Sequence, residues 1–299
     1  MKISYLMNLL RAVDVIHRAS LSIAVIGLYN CMNKSILMHK SLVSDTGLSV
    51  NLYGSGDPVL FISGLGGRGE FWSSLVPCFS SKFLMVLHDH RGCGNSIRSL
   101  ISYSIDQMAN DVLSLMEELS IERASIVGHS TGGAIGQLLA ARFPKKVKKL
   151  VLSSTWPGPS EYFIELFKVR LDILKNNGPE VYMRDGILRG YPPSFLSKYS
   201  NTIIGNTKAR LKSFSGTEIE TSRINAVMKH DIRSELKNIT SDTLVVCAKD
   251  DQITPAEFSD ELELAIPMAQ KVIFPYGGHF TPHTIAADFN SLVSEFLKA

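Results

Sequence analysis

A single serine stands among glycines at residues 128–133, which read GHSTGG. The apolar run before it, ASIV, is typical of a buried strand, and the run after it, AIGQLLAARF, is typical of a helix. A serine on a sharp strand-to-helix turn can be held in a strained conformation that lifts its hydroxyl above the sheet. The first turn of the helix adds unpaired N–H groups, which suit a developing negative charge. We therefore predict that Ser130 is a nucleophile.

A serine hydroxyl needs a general base, and the base needs an orienting carboxylate. On a parallel sheet these partners follow later strands, in the order serine, acid, histidine. The run TLVVCA is followed by Asp250 and Asp251, and the run KVIF is followed shortly by His279. We predict that His279 is the base, and either aspartate satisfies the order of the partners.

An oxyanion formed on the substrate needs two backbone N–H donors. The residue after the nucleophile, Thr131, supplies one of them. A glycine-rich loop, SGLGG at residues 63–67, follows the short apolar run VLFI and supplies the other. We predict that this second donor is the N–H of Leu65.

Composition excludes several classes of function. The 299 residues carry 31 basic and 28 acidic side chains, and the net charge of +3 does not favour nucleic acid. No pair of histidines has ligand-like spacing with a carboxylate on a predicted helix, so no metal site is expected. No dinucleotide fingerprint or P-loop is present, so no cofactor is expected either. The four cysteines form no Cys-x-x-Cys pair, and a reducing cytoplasm is the simplest compartment.

Short apolar runs alternate with helical patterns along most of the chain, which predicts an α/β fold with a mostly parallel sheet covered on both faces. Residues 41–53 read as a β-hairpin that opens this core. Residues 157–233 contain no clear buried strand and read as helices. The core is therefore predicted to comprise residues 41–156 and 234–299, interrupted by a helical lid at 157–233.

Residues 1–40 are predicted to be an N-terminal extension, and the sequence leaves open whether this extension is helical. The apolar run Leu21–Tyr29 is shorter than the ~20 residues of a membrane-spanning helix, so stable membrane insertion is not expected. A secretion signal within residues 1–31 is the minor alternative, since no typical cleavage site follows the run.

Taken together, these segments resemble the α/β-hydrolase superfamily. The resemblance rests on five motifs in the right order: SGLGG (63–67), DHRGCGNS (89–96), GHSTGG (128–133), the spacing from Asp251 to Pro255, and GGHF (277–280). It implies an eight-stranded sheet with an inserted lid. It also implies Asp251 rather than Asp250 as the acid, because the family places a proline four residues after the acid.

The surroundings of the site carry further expectations. The lid is rich in aromatic residues, and we expect Tyr162, Phe167 and Tyr191 to line an apolar pocket over Ser130. Asp89 and Arg91 lie in a loop that members of the superfamily use structurally, and we expect them to form an internal ion pair.

Four segments also resemble the aminoacrylate and carbamate hydrolases of the pyrimidine-utilisation (Rut) pathway: ISGLGGRGEFW, SRINAVMKHDI, VVCAKDDQITP and VIFPYGGHF. The expected activity is cofactor-independent cleavage of an ester, thioester, lactone, amide or carbamate in a small acyl substrate. A carbon–carbon bond hydrolase or a cofactor-free haloperoxidase could use the same three residues. A non-catalytic ligand receptor is the alternative of a different class, and the sequence leaves a homodimer open.

Overall fold

The structure, a computed structural model, describes residues 38–299. Eight strands form one sheet in this range: β1 Met38–Val43, β2 Ser49–Tyr53, β3 Asp57–Ile62, β4 Phe83–His88, β5 Ala124–His129, β6 Val147–Ser153, β7 Asp242–Ala248 and β8 Ala269–Phe274. Their order across the sheet is β1-β2-β4-β3-β5-β6-β7-β8. β2 runs antiparallel to β1 and β4, and all pairs from β4 to β8 are parallel. This is the predicted mostly parallel, eight-stranded α/β sheet.

The inner strands are continuous apolar runs because both faces of the sheet are covered. Successive side chains of β3 show this, since Leu60 and Ile62 belong to the core on one face while Val59 and Phe61 belong to the core on the other. All four side chains are at most 1 % exposed. The two cores hold the sheet between helical layers and fix where its carboxyl edge lies.

The helices that follow the strands begin near that edge. Those of the core are α1 Val76–Phe79, α2 Ile105–Glu118, α3 Thr131–Arg142, α8 Ala256–Ala265, α9 Thr281–Thr284 and α10 Ala286–Lys298. Apolar side chains of α2, α3 and α8 pack on one face of the sheet, and those of α1 and α10 pack on the other. The segment Gly69–Leu75, which leads into α1, is a 3-10 helix.

Between β6 and β7 the chain forms four helices: α4 Glu161–Gly190, α5 Pro193–Gly205, α6 Thr207–Lys212 and α7 Thr217–Lys229. α4 is kinked at Gly178, whose φ of 81° is not helical, and Pro179 follows. Ile219, Ile224 and Val227 of α7 are buried in the same apolar cluster as one face of the sheet. The insertion is therefore packed onto the core rather than held away from it.

The N-terminal boundary differs from the predicted one. β1 begins at Met38, and Lys40 pairs with Leu52 of β2, so the end of the predicted extension 1–40 belongs to the sheet. The predicted helix and the alternative secretion signal fall on residues 1–37, outside the described residues. Among residues 38–299, no helix is both long enough and apolar enough to span a membrane.

Candidate active site

Ser130 occupies a strained turn between β5 and α3. Its φ of 53° and ψ of −117° lie in a region that non-glycine residues rarely adopt. Its N–H donates to the carbonyl of Ser153 at the end of β6 (2.8 Å), which fixes the turn against the neighbouring strand. The Ser130 side chain keeps 8 % exposure, whereas the preceding His129 has none.

Two glycines make this turn sterically feasible. A Cβ added to Gly128 would lie 2.3 Å from the carbonyl oxygen of Gly132, and one added to Gly132 would lie 2.0 Å from that of Ile62. Both distances are far below a normal contact, so larger residues would push the strand and the helix apart. The glycines of GHSTGG therefore allow the close approach that holds Ser130 in place.

The two predicted oxyanion donors belong to segments on either side of the serine turn, and their role stays a prediction. Thr131 is the first residue of α3, so its N–H has no acceptor within the helix. In the loop after β3, a Cβ on Gly64 would lie 3.1 Å from Ser130 Cβ, which places the backbone of Gly64 beside the nucleophile. The N–H of Leu65 follows directly in that loop.

His279 is paired with Asp251. Its Nδ1 lies 2.9 Å from Oδ2 and 3.1 Å from Oδ1 of the carboxylate, and the two side chains are 3 % and 0 % exposed. Because a carboxylate only accepts hydrogen bonds, Nδ1 must carry the proton. Nε2 of the neutral ring is then an acceptor, which is the tautomer that a base for the serine hydroxyl needs.

Asp251 is held as an anion by several donors. The N–H groups of Ile253 and Thr254 donate to Oδ1 at 2.8 and 3.0 Å, and the Thr254 hydroxyl donates to Oδ2 at 2.9 Å. Burial alone raises the pKa of Asp251, but the charge and hydrogen bond of His279 and these backbone donors outweigh burial, so the pKa lies below its ordinary value. The role of Thr254 was missed from the sequence, although an aspartate in a turn commonly accepts from the backbone two residues on, as Asp251 does from Ile253.

The neighbouring Asp250 has a different partner. Its Oδ1 accepts a hydrogen bond from the N–H of Gly278 at 2.8 Å, and its side chain is exposed. It thus holds the loop that carries His279 without contacting the imidazole. The geometry favours Asp251 over Asp250 as the partner of the ring.

Two further histidines lie close to the base. The His129 ring stacks on Phe71 at 4.8 Å and lies 4.8 Å from the His279 ring, which places His279 beside the serine turn. Burial, and then the charges of His279 and His283, lower the pKa of His129 well below its ordinary value. His129 is therefore neutral and does not compete with His279 for a proton near neutral pH.

The predicted pocket residues lie in three different surroundings. The Tyr191 ring is 4.8 Å from the Phe280 ring, next to His279, and its hydroxyl donates to Nδ1 of His283 at 3.4 Å. Phe167 is 4 % exposed and packs in the apolar core. Tyr162 is 50 % exposed and donates to the carbonyl of Gln252. Only Tyr191 is in contact with the loop of the base, and a pocket lined by all three stays a prediction.

The expected ion pair between Asp89 and Arg91 is wrong. Asp89 accepts hydrogen bonds from the N–H groups of Gly69 and Asn95, both at 2.8 Å, and ties two loops together. Arg91 instead pairs with Asp111 of α2 at 2.8 Å. Two charged residues of one loop, separated by His90, thus have different partners.

Comparison with known proteins decides the family. A sequence profile of the α/β hydrolase fold matches residues 57–185. A putative carbamate hydrolase RutD of Serratia proteamaculans is 35% identical over 242 residues, which are 80% of this chain and 91% of that protein. The chain belongs to the α/β-hydrolase family. It is an enzyme of that fold.

Other α/β-hydrolases agree in length and shape. A putative carbamate hydrolase RutD of a Caulobacter species is 34% identical over 241 residues, covering 80% of this chain and 90% of that protein. The crystal structure of an enol-lactonase from Burkholderia xenovorans superposes with a TM-score of 0.78 over 87% of this chain and 100% of that chain, at 23% identity. That structural likeness concerns the fold alone.

Proposed function

We propose that this α/β-hydrolase is a cofactor-independent serine hydrolase with Ser130 as nucleophile, His279 as base and Asp251 as the orienting acid. The single observation that carries the proposal is the buried contact of His279 Nδ1 with Asp251, beside a serine turn whose φ is 53°. A strained serine next to an imidazole in the right tautomer is the arrangement that acyl transfer needs.

In the proposed reaction, His279 Nε2 takes the proton from Ser130 Oγ as Oγ bonds to the carbonyl carbon of the substrate. The carbonyl oxygen becomes an oxyanion, which the N–H groups of Thr131 and Leu65 stabilise. The intermediate collapses, and the imidazolium returns the proton to the leaving group. A water molecule, deprotonated by the same His279, then cleaves the acyl-enzyme and restores Ser130.

The proposed substrate is a small molecule with an ester, thioester, lactone, amide or carbamate bond. The name shared by two relatives at 34–35% identity makes small carbamates the first compounds to assay. The aromatic rings of Tyr191 and Phe280 lie next to His279, which suits a substrate with an apolar part.

The test is covalent labelling with a fluorophosphonate probe, followed by turnover of p-nitrophenyl acetate. Ser130→Ala is expected to abolish labelling and to lower kcat by about 10⁶-fold, as for serine hydrolases in which the nucleophile is removed. Ser154→Ala is the matched control because Ser154 is also buried, with a φ of 47°, and it should keep both activities.

Two results would contradict the proposal. If Ser130→Ala is still labelled, or loses only a fewfold in kcat, another group does the chemistry. If the folded wild-type protein is not labelled at all, the pocket binds without reacting, and the receptor alternative takes its place.

A further inference from the structure

One arginine of the insertion reaches the loop that is proposed to bind the oxyanion. Arg223 lies on α7, and its side chain is fully buried at 0 % exposure. Its Nη2 donates to the carbonyl of Leu65 at 3.0 Å, and its Nη1 donates to the carbonyl of Arg91 at 3.1 Å. Nη2 also lies 3.3 Å from Nδ1 of His90. One guanidinium thus bridges the loops that follow β3 and β4.

All of these partners are neutral, and within residues 38–299 Arg223 forms no ion pair. Burying a guanidinium without a carboxylate is costly, and its Nε has no hydrogen-bond partner in the same range. The aromatic face of Tyr103, 5.7 Å away, offsets part of this cost. A leucine or methionine would fill the space without that cost, so filling space does not explain an arginine here.

The bond to Leu65 constrains the part of the loop that matters for catalysis. The peptide planes that carry the N–H and the carbonyl of Leu65 meet at its Cα, so with the carbonyl fixed only φ and ψ of Leu65 can turn the N–H. The loop is also closed by Gly67 N–H donating to the Gly64 carbonyl (2.9 Å) and by His90 N–H donating to the Gly67 carbonyl (2.7 Å). Arg223 supplies the contact at Leu65 itself, and it comes from a helix outside the sheet domain.

Gly67 is adapted to this arrangement. A Cβ at Gly67 would lie 3.0 Å from Arg223 Nη2 and 2.5 Å from Cys93 Sγ, and its φ is 63°. A larger residue would displace either the guanidinium or the loop. The last glycine of SGLGG thus makes room for Arg223 as well as turning the chain.

We infer that Arg223 is a positioning residue, which holds the N–H of Leu65 in the orientation needed to bind the oxyanion. The insertion then takes part in transition-state stabilisation as well as covering the site. This inference rests on the proposed serine mechanism, because it assumes that an oxyanion forms beside Ser130. Hydrogen bonds to an oxyanion act in the transition state and not on the bound substrate.

The experiment compares Arg223→Gln and Arg223→Lys with a matched control, Arg170→Gln. Arg170 is a buried arginine of the same insertion that packs over Tyr182 at 4.8 Å and does not contact the loops of the site. Each variant is assayed for kcat and KM with p-nitrophenyl acetate, and for Ki with a short alkyl trifluoromethyl ketone. Ser130 Oγ adds to that ketone while His279 takes the proton, which leaves an oxyanion in the same place as in the reaction.

Arg223→Gln is expected to lower kcat by about 10- to 100-fold, less than the loss of a whole oxyanion donor, with KM within about threefold of wild type. Ki for the ketone should rise by the same factor as kcat/KM falls. Arg223→Lys has one ammonium group in place of the planar guanidinium. Its kcat and its Ki should therefore lie between those of the wild type and those of Arg223→Gln. Arg170→Gln should lower Tm without changing kcat or Ki.

The inference is overturned if Arg223→Gln is folded and leaves kcat and Ki unchanged, or if it changes KM alone. It is also overturned if Arg170→Gln weakens kcat and Ki as much as Arg223→Gln does, because both arginines then act only through stability. If Arg223→Gln does not fold, the same comparison is made with Arg223→Lys. A failure of the proposed serine mechanism gives a different result from a failure of this inference. In that case the wild-type protein would neither react with fluorophosphonate nor bind the ketone.

Discussion

Replacing Asp251 by asparagine should reverse the tautomer of His279. The carboxylate accepts from the N–H groups of Ile253 and Thr254 on Oδ1, and it faces His279 Nδ1 with Oδ2 at 2.9 Å. In Asp251→Asn, the amide oxygen must stay on the Oδ1 side, because the amide NH₂ cannot face two N–H donors. The NH₂ group therefore points at Nδ1 and donates to it.

A neutral imidazole ring that accepts a hydrogen bond at Nδ1 carries its own proton on Nε2. Nε2 then cannot take a proton from Ser130. The same exchange in the trypsin triad lowers kcat about 10⁴-fold, and a loss of about 10⁴-fold, or about 5.5 kcal/mol of barrier, is expected here. The assay is the kcat for p-nitrophenyl acetate at neutral pH, with circular dichroism to show that the variant is folded.

Asp250→Asn is the matched control, since it keeps an oxygen that can accept from Gly278 N–H, now 2.8 Å from Asp250 Oδ1. Its kcat should stay within about threefold of wild type, because one neutral surface hydrogen bond remains in place. The reasoning is refuted if Asp251→Asn loses less than about tenfold in kcat while folded, or if Asp250→Asn loses as much as Asp251→Asn.

Two further outcomes concern stability. Burial lowers the pKa of both His88 and His230 from 6.5 to about 4. Below pH 6.5 the unfolded chain therefore binds protons that the folded chain excludes. The folded protein keeps its full stability above about pH 6.5 and loses stability as the pH falls toward 4. His230→Gln should therefore reduce the difference in unfolding free energy between pH 7 and pH 4.5 by about 2 to 3 kcal/mol in urea titrations, and an unchanged difference would contradict this. Gly132→Ala should lower the free energy of unfolding by about 3 kcal/mol or more, because its Cβ would lie 2.0 Å from the Ile62 carbonyl. Gly205→Ala, with open space around the new methyl group, should not destabilise the protein, and equal losses in the two variants would show that the close contact at Gly132 does not matter.

The placement of the site could be predicted from the sequence because it depends on topology more than on detail. The carboxyl ends of parallel strands meet at one edge, so residues that follow β5, β7 and β8 must lie near one another. Ser130, Asp251 and His279 each follow one of these strands. The apolar runs were enough to locate the strands. The order serine, acid, histidine along the chain then selected the candidate residues after those strands.

Choices between neighbouring polar residues could not be made in this way. Asp250 and Asp251 are adjacent, and the structure separates them through local backbone donors: Ile253 and Thr254 hold Asp251, and Gly278 holds Asp250. The predicted pairing of Asp89 with Arg91 failed for the same reason, since the actual partner of Arg91 is Asp111, whose position depends on where α2 packs. Such contacts are set by packing between elements, which periodicity does not specify.

The insertion shows the same limit on a larger scale. The aromatic content of the insertion predicted that Phe167 lines a pocket over Ser130, but Phe167 packs in the core against Phe163, at a ring distance of 4.7 Å. Besides the ring of Tyr191, two polar groups of the insertion reach the candidate site: the carbonyl of Gly190 accepts from His279 N–H at 2.9 Å, and Arg223 donates to the Leu65 carbonyl. One contact holds the loop of the base and the other holds the loop of the oxyanion donor. Because both loops belong to the sheet domain, we expect a small shift of the insertion to move the loop of His279 and the loop of Leu65 together.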